Sequence, residues 1–127
     1  VSVFLSLPTS VWVASNALAF AIRDRDPVSD GHTLVIPKRL VIDFFGTTEA
    51  ERLALFSLVD EVKRALDASH RPDGYNVGFN AGSAAGQTVF HLHLHVIPRY
   101  RGDVEDPRGG VRHVIPSRGR PSDVRAP

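Results

Sequence analysis

The sequence predicts an α+β domain on a mostly antiparallel sheet, and three observations carry that expectation. Short β-rich runs, Leu18 to Ile22 and Thr33 to Ile36, are separated by a loop dense in turn formers, Arg23 to Gly31. A helical period then joins Leu55, Val59, Val62 and Leu66. Two further runs, Tyr75 to Phe79 and Val89 to Pro98, return to β character. Strands, one long helix and more strands are the pattern of such a domain.

Each element has a local reason. Val11-Trp12-Val13 is expected as a first strand, turned by Ser15-Asn16 into Leu18 to Ile22. Pro37 closes the next strand, because proline cannot donate to a ladder. Thr48 and Glu51 have capping-box spacing at the helix start. Arg52, Asp60, Glu61, Lys63 and Arg64 are expected mostly to face water. The helix should stop near Ser69, ahead of the breaker Arg71-Pro72-Asp73-Gly74. From Arg101 onward glycine and proline are frequent, and only Val111 to Ile115 is apolar. Such a tail seldom forms a core of its own. The chain is therefore divided into a domain over 1–101 and a tail over 102–127. The tail is expected to lie on the domain or a partner subunit, with its last residues disordered.

Composition narrows the function classes. A chain of 127 residues is one domain long, and its net charge of +1 predicts no nucleic-acid partner. Local arginines such as Arg99, Arg101 and Arg108 can still meet a small anion. There is no cysteine, which excludes disulfides, a catalytic thiol and a thiolate zinc site. The lack of cysteine also fits a reducing compartment, and a cytoplasmic location is expected. Methionine is absent too, implying that Val1 is not the natural start. No charge precedes Arg23, but Ser2, Ser6, Pro8, Thr9, Ser10, Ser15 and Asn16 interrupt the stretch, and no basic n-region leads it. A soluble chain without a membrane partner is expected.

The chemistry is concentrated in His91-Leu92-His93-Leu94-His95-Val96. In a strand the three imidazoles share one face while Leu92, Leu94 and Val96 enter a core. Upstream runs a glycine-rich segment from Gly78 to Thr88 that contains Asn80, Gly86 and Gln87. Three uses of the histidines stand side by side. They can be structural, bonded to backbone. They can bind metal, although same-face neighbours on one strand sit roughly 6.5–7 Å apart and need further ligands such as His32 or His113. Or a neutral imidazole can attack phosphorus, while a neighbour and the loop's N–H groups donate to the phosphate. Crowded imidazoles favour this third use, since each disfavours a second positive charge.

Gln87-Thr88-Val89-Phe90-His91-Leu92-His93-Leu94-His95-Val96 resembles the signature of the histidine triad (HIT) family of nucleotide hydrolases and transferases. Gly31-His32-Thr33-Leu34-Val35-Ile36-Pro37-Lys38 is similar to its second hallmark. The likeness runs from about Val11 to Arg101. It implies a five-stranded sheet with one long helix and a short one, joined across a homodimer. It also implies a purine nucleotide substrate, cleaved to AMP through a covalent nucleotidyl-histidine without a metal at the chemical step. Mg²⁺ can accompany a polyphosphate substrate. By position, the resemblance makes His93 the nucleophile and His91 and His95 the flanking members that orient it and touch phosphate. His32 then lies beside the α-phosphate, and Asp24 holds the ribose hydroxyls. Ile22, and with less force Phe20, falls at the base, while Asn80, Gly86, Gln87 and Thr88 fall at phosphate or leaving group.

Two departures stand out. Leu40 replaces a histidine found in many members, and the N-terminal cysteine pair of zinc-binding relatives is missing, so no metal ligand is assigned. The stretch Gly102-Asp103 to Asp106-Pro107-Arg108-Gly109-Gly110-Val111-Arg112 resembles bacterial members described as diadenosine tetraphosphate hydrolases. Arg108 and Arg112 are then candidates to meet a polyphosphate. The alternatives are a nucleoside 5′-phosphoramidase and a nucleotide-binding protein with little turnover.

Overall fold

The computed structural model describes residues 2–120. Five strands form one sheet: β1 (Ala14–Ser15), β2 (Ala19–Arg23), β3 (Thr33–Pro37), β4 (Gly74–Gly78) and β5 (Leu94–Arg99). Their order is β1-β2-β3-β5-β4, and every neighbouring pair is antiparallel. A single α-helix among the described residues, α1 (Glu49–Ser69), crosses one face. The expected short helix is represented only by five 3₁₀ turns, each three to five residues long.

Side-chain alternation divides the sheet into two faces. Ala19 and Ala21 of β2, Val35 of β3 and Leu94 and Val96 of β5 pack with Leu55, Leu58, Val62 and Leu66 of α1. Phe20, Ile22, Leu34 and Ile36 point the other way and form a second cluster with Phe4, Trp12 and Val89. The helical period holds, except that Leu58 is fully buried and Val59 only half-buried. Truncating Leu58 to alanine would cost about 2–5 kcal/mol, the range for a buried leucine. Asp60, Glu61, Lys63 and Arg64 are exposed as expected. Arg52 instead lies over the Phe44 ring and donates to the hydroxyl of Thr47.

The helix start forms a capping box. Thr48 Oγ1 accepts from Glu51 N at 3.1 Å, and Glu51 Oε1 accepts from Thr48 N at 2.9 Å. Glu51 is buried because Arg39, just beyond β3, donates to both its carboxylate oxygens at 2.8 and 2.9 Å. That guanidinium lowers the Glu51 carboxyl to about 2, tying the helix start to the end of β3.

Two strand starts differ from the sequence expectation by several residues. Val11 belongs to a 3₁₀ turn, and β1 starts only at Ala14, because Pro8 and Thr9 open a tight turn there. The strand expected from Val89 begins at Leu94. Its upstream part bonds outside the ladder, with Leu92 N donating to Val41 O at 2.8 Å. Val111 to Ile115 lies in and just after a 3₁₀ turn, and Val111, Val114 and Ile115 are exposed. The tail begins with an Arg99–Asp103 pair at 2.8 Å. The disorder expected of the last residues lies outside the described residues. Among those described, no helix is long and apolar enough to cross a membrane.

Candidate active site

Strand register assembles the site. Ile22 pairs with Leu34, and Leu34 with His95, so one row crosses three strands on the face away from α1. The β2–β3 pairing extends one step beyond the strands, since Asp24 N donates to His32 O at 2.9 Å. By alternation Asp24 follows Ile22 and His32 precedes Leu34 on that same face. The β2–β3 connection thus delivers a carboxylate and an imidazole beside His95. Gly31 makes the approach possible: its φ is +92°, and an added Cβ would lie 2.9 Å from Leu66 Cδ2.

The row floors a cleft of ≈ 640 Å³ whose walls include His93, His95, Asp24, Ile22 and Thr88. Its other apolar walls are Val3, Phe4, Leu7, Val11, Leu34 and Val89, which sequence reasoning did not single out. The N-terminal segment closes over the histidines, and the Phe4 ring meets that of His93 at 5.1 Å. Those residues carried no usable signal, because an apolar N-terminal stretch without a period can pack anywhere.

Hydrogen bonds fix the state of each imidazole. His93 Nδ1 lies 2.9 Å from the carbonyl of His91, which can only accept, so Nδ1 holds the proton and Nε2 keeps a lone pair. Val28 N–H donates to His32 Nδ1 at 3.1 Å, so the proton of neutral His32 sits on Nε2. His32 Nε2 in turn lies 2.9 Å from His95 Nδ1, which must accept, leaving His95 with an Nε2–H. Burial holds His32 below its ordinary value, partly opposed by the Asp24 charge. Burial, then His93 and His32, push His95 down to about 4. At neutral pH the His32–His95 pair is therefore uncharged, with an N–H on His95; on His93, Nε2 is the ring nitrogen not held by the backbone.

His91 takes no part in the cleft through its ring. The imidazole is fully buried, with Nε2 against Pro37 O at 2.8 Å and Nδ1 against Ser2 Oγ at 2.7 Å. Both nitrogens are occupied, so phosphate contact by this ring, expected from the resemblance, does not fit the geometry. The chain bends over Val89 to His91, ahead of the strand that starts at Leu94, and the His91 ring lies against Ser2 and Phe4. His91 orients His93 through its carbonyl instead.

The glycine-rich loop also divides. Thr88 lines the cleft, whereas Gln87 is buried and braces the loop, accepting from Gly82 N and donating to Ile42 O. Gly86 is an exposed left-handed cap at φ +94°, and half-buried Asn80 is not among the cleft walls. Phe20 stacks on Trp12 beneath the second cluster. The arginines proposed for anions are committed elsewhere. Arg99 pairs with Asp103, Arg101 approaches Asp73, Arg108 pairs with Asp106, and Arg112 donates to Arg118 O. His113 meets Arg108 O, away from the other histidines.

Asp24, His32 and His95 bring ligand-type atoms within 4.8 Å of one another. Their hydrogen bonding does not fit a metal. A ligating histidine normally donates its second ring N–H outward, yet His32 Nδ1 faces an N–H donor. A metal on Nε2 would force two hydrogens together there. The spacing suits an ion; the proton inventory does not.

Comparison with known proteins agrees with this geometry. An uncharacterized HIT-like protein of Mycoplasma genitalium is 44% identical over 92 residues, 72% of this chain and 65% of that protein. An AP-4-A phosphorylase of Mycobacterium tuberculosis is 37% identical over 92 residues, again 72% of this chain but 47% of the enzyme. The chain thus spans somewhat under two thirds of the first relative's length and about half of the second's. A crystal structure of a HIT family protein from Bacillus anthracis superposes with a TM-score of 0.75 at 32% identity, covering 98% of this chain and 82% of that one. The HIT domain family model matches residues 8–102, the stretch that holds every strand, α1 and all four histidines of the cluster, and the chain belongs to the HIT family.

Proposed function

We propose that this chain transfers AMP from a dinucleoside polyphosphate, such as diadenosine tetraphosphate, to His93 and then to water. The observation that carries the reading is the bare Nε2 of His93 beside the N–H of His95 in a cleft that also holds Asp24. The apolar walls Ile22, Leu34, Phe4 and Leu7 suit a purine, and the Asp24 carboxylate can accept from both ribose hydroxyls. His93 Nε2 attacks the α-phosphorus, an N–P bond forms, and the bond to the leaving group breaks. The His95 Nε2–H donates to the departing atom and Thr88 to a phosphate oxygen. Water then opens the N–P bond, releasing AMP and restoring His93.

A specific feature also favours the phosphoramidate alternative. An amine is a poorer leaving group than a polyphosphate, which departs readily as an anion, so it depends more on the hydrogen bond from His95 Nε2–H at the departing nitrogen, whose proton is taken up from water. Incubation with diadenosine tetraphosphate and with adenosine phosphoramidate, each with wild type and His93→Ala, tests both. AMP from the first substrate only, lost in the variant, supports the polyphosphate reading. AMP from the second only moves the assignment to a phosphoramidase.

A homodimer is part of the proposal. β4 is an edge strand, and exposed Val77 on it, with Leu53 and Phe56 on α1, supplies apolar surface that a second copy can cover. Mg²⁺ is assigned to the polyphosphate substrate rather than to protein ligands.

A further inference from the structure

We infer that the backbone amide of Val28 sets the direction of a two-histidine relay, and so determines that His95 presents a proton to the cleft. The inference deepens the nucleotidyl-transfer reading and rests on it for its catalytic consequence. The relay has three links: Val28 N–H to His32 Nδ1 at 3.1 Å, His32 Nε2–H to His95 Nδ1 at 2.9 Å, and His95 Nε2–H into the cleft. Reversing any one link reverses those that follow it. Only the first involves a group that cannot change its role, because an amide nitrogen donates and never accepts. His32 and His95 can each carry the proton on either nitrogen; the amide breaks that symmetry.

The loop around the amide is anchored from several sides. Ser29 Oγ donates to Pro98 O at 2.6 Å, His32 N donates to Ser29 O at 3.1 Å, and Tyr100 Oη donates to Asp30 O at 2.7 Å. The Val28 side chain, by contrast, is 71% exposed. What matters at this position is the N–H rather than the side chain, so sequence alone does not reveal the role. Asp24 Oδ2, 3.5 Å from His32 Nε2, faces the same ring proton and favours its position. Asp24 Oδ1 accepts from Asp26 N at 2.8 Å, which holds the carboxylate in that orientation.

Without the amide hydrogen, His32 is free to protonate Nδ1 and offer a lone pair at Nε2. His95 then donates from Nδ1 to His32, and its Nε2 faces the substrate as an acceptor. The leaving group loses its hydrogen-bond donor, while the apolar walls and Asp24 remain in place. Val28 is thus a positioning residue acting through its backbone.

The test is ¹⁵N NMR of the histidine ring nitrogens, at neutral pH, in the full chain without ligand. Wild type is expected to show His32 and His95 both protonated at Nε2. Val28→Pro, which replaces the amide hydrogen with a ring carbon, is expected to shift both rings toward the Nδ1–H form; Val28→Ala keeps the N–H and the wild-type pattern. Wild-type His32 protonated at Nδ1 overturns the inference, as does a folded Val28→Pro with unchanged tautomers. Should Val28→Pro not fold, the wild-type spectrum still decides the relay's direction. In turnover of adenosine phosphoramidate, Val28→Pro is expected to lower kcat by about tenfold or more with little change in KM, as loss of a hydrogen-bond donor to developing charge does. If wild type has the stated tautomers and releases no AMP, the relay stands and the transfer reading falls.

Discussion

The Nδ1 of His93 lies 2.9 Å from the carbonyl oxygen of His91, so the residue two places upstream orients the His93 ring through its backbone. Its side chain is free for another task, which the structure shows to be packing: the His91 ring is buried between Pro37, Ser2 and Phe4. One segment therefore carries two histidines with opposite duties. His93 faces the cleft; His91 holds the N-terminal segment over it.

This division makes His91→Ala a stability variant. Loss of two buried hydrogen bonds and creation of a cavity are expected to cost about 2–4 kcal/mol. The carbonyl survives the substitution, so AMP formation by the remaining folded protein should persist well above that of His93→Ala. Denaturant titration and turnover on the same samples check both halves.

Asp24 is expected to act on binding. Asp24→Ala removes the carboxylate beside the cleft, and loss of a charge-assisted hydrogen bond weakens AMP binding by about 1.5–3 kcal/mol. Calorimetry with AMP measures this directly. An unchanged affinity would remove Asp24 from the nucleotide.

Acid should destabilise the fold in two stages. His32, His91 and His95 are all held below the ordinary value of 6.5, chiefly by burial, and His95 to about 4. The unfolded chain therefore binds more protons below pH 6.5, and stability falls as pH drops from there toward about 4. Glu51, lowered from 4.5 to about 2 by Arg39, adds a second loss across that lower window. Melting temperatures between pH 7 and 3 test this; Glu51→Gln should flatten the lower stage and leave the upper one.

Chelation offers a separate check. The proposed transfer uses only His93 Nε2 and the His95 N–H, and the His32 proton inventory opposes a metal in the Asp24 cluster. Extensive EDTA treatment is expected to leave AMP formation from adenosine phosphoramidate unchanged. Loss of that activity, restored by added zinc, would return the cluster to metal chemistry.

Much of this architecture was legible in the sequence because local rules and packing agree. Thr48, Glu51 and the Leu55–Leu66 period define α1, and Pro72 follows its end. The alternation of Leu92, Leu94 and Val96 with the histidines places those three side chains in the core. Strand starts were less legible: the residues from Val89 to His93 have strand character, but Leu92 bonds to Val41, a partner no local pattern reveals. The same limit hid the role of His91, whose ring partners lie 54 and 89 residues away. Gln87 and the arginines were assigned by chemical type, whereas Gln87 is held by the distant Ile42 carbonyl and Arg99 and Arg108 by carboxylates two to four residues away. Periodicity reports which face a residue occupies; it cannot report whether its polar atoms are free.

The most direct measurement is mass spectrometry of enzyme quenched in alkaline denaturant, which preserves a histidine N–P bond, during turnover of diadenosine tetraphosphate and of adenosine phosphoramidate. A single adenylyl group attached to His93 in wild type, absent from His93→Ala, is the expected result with at least one of the two. AMP release by His93→Ala at the wild-type rate, or an adduct mapped to another residue, would contradict the assignment of His93 as nucleophile.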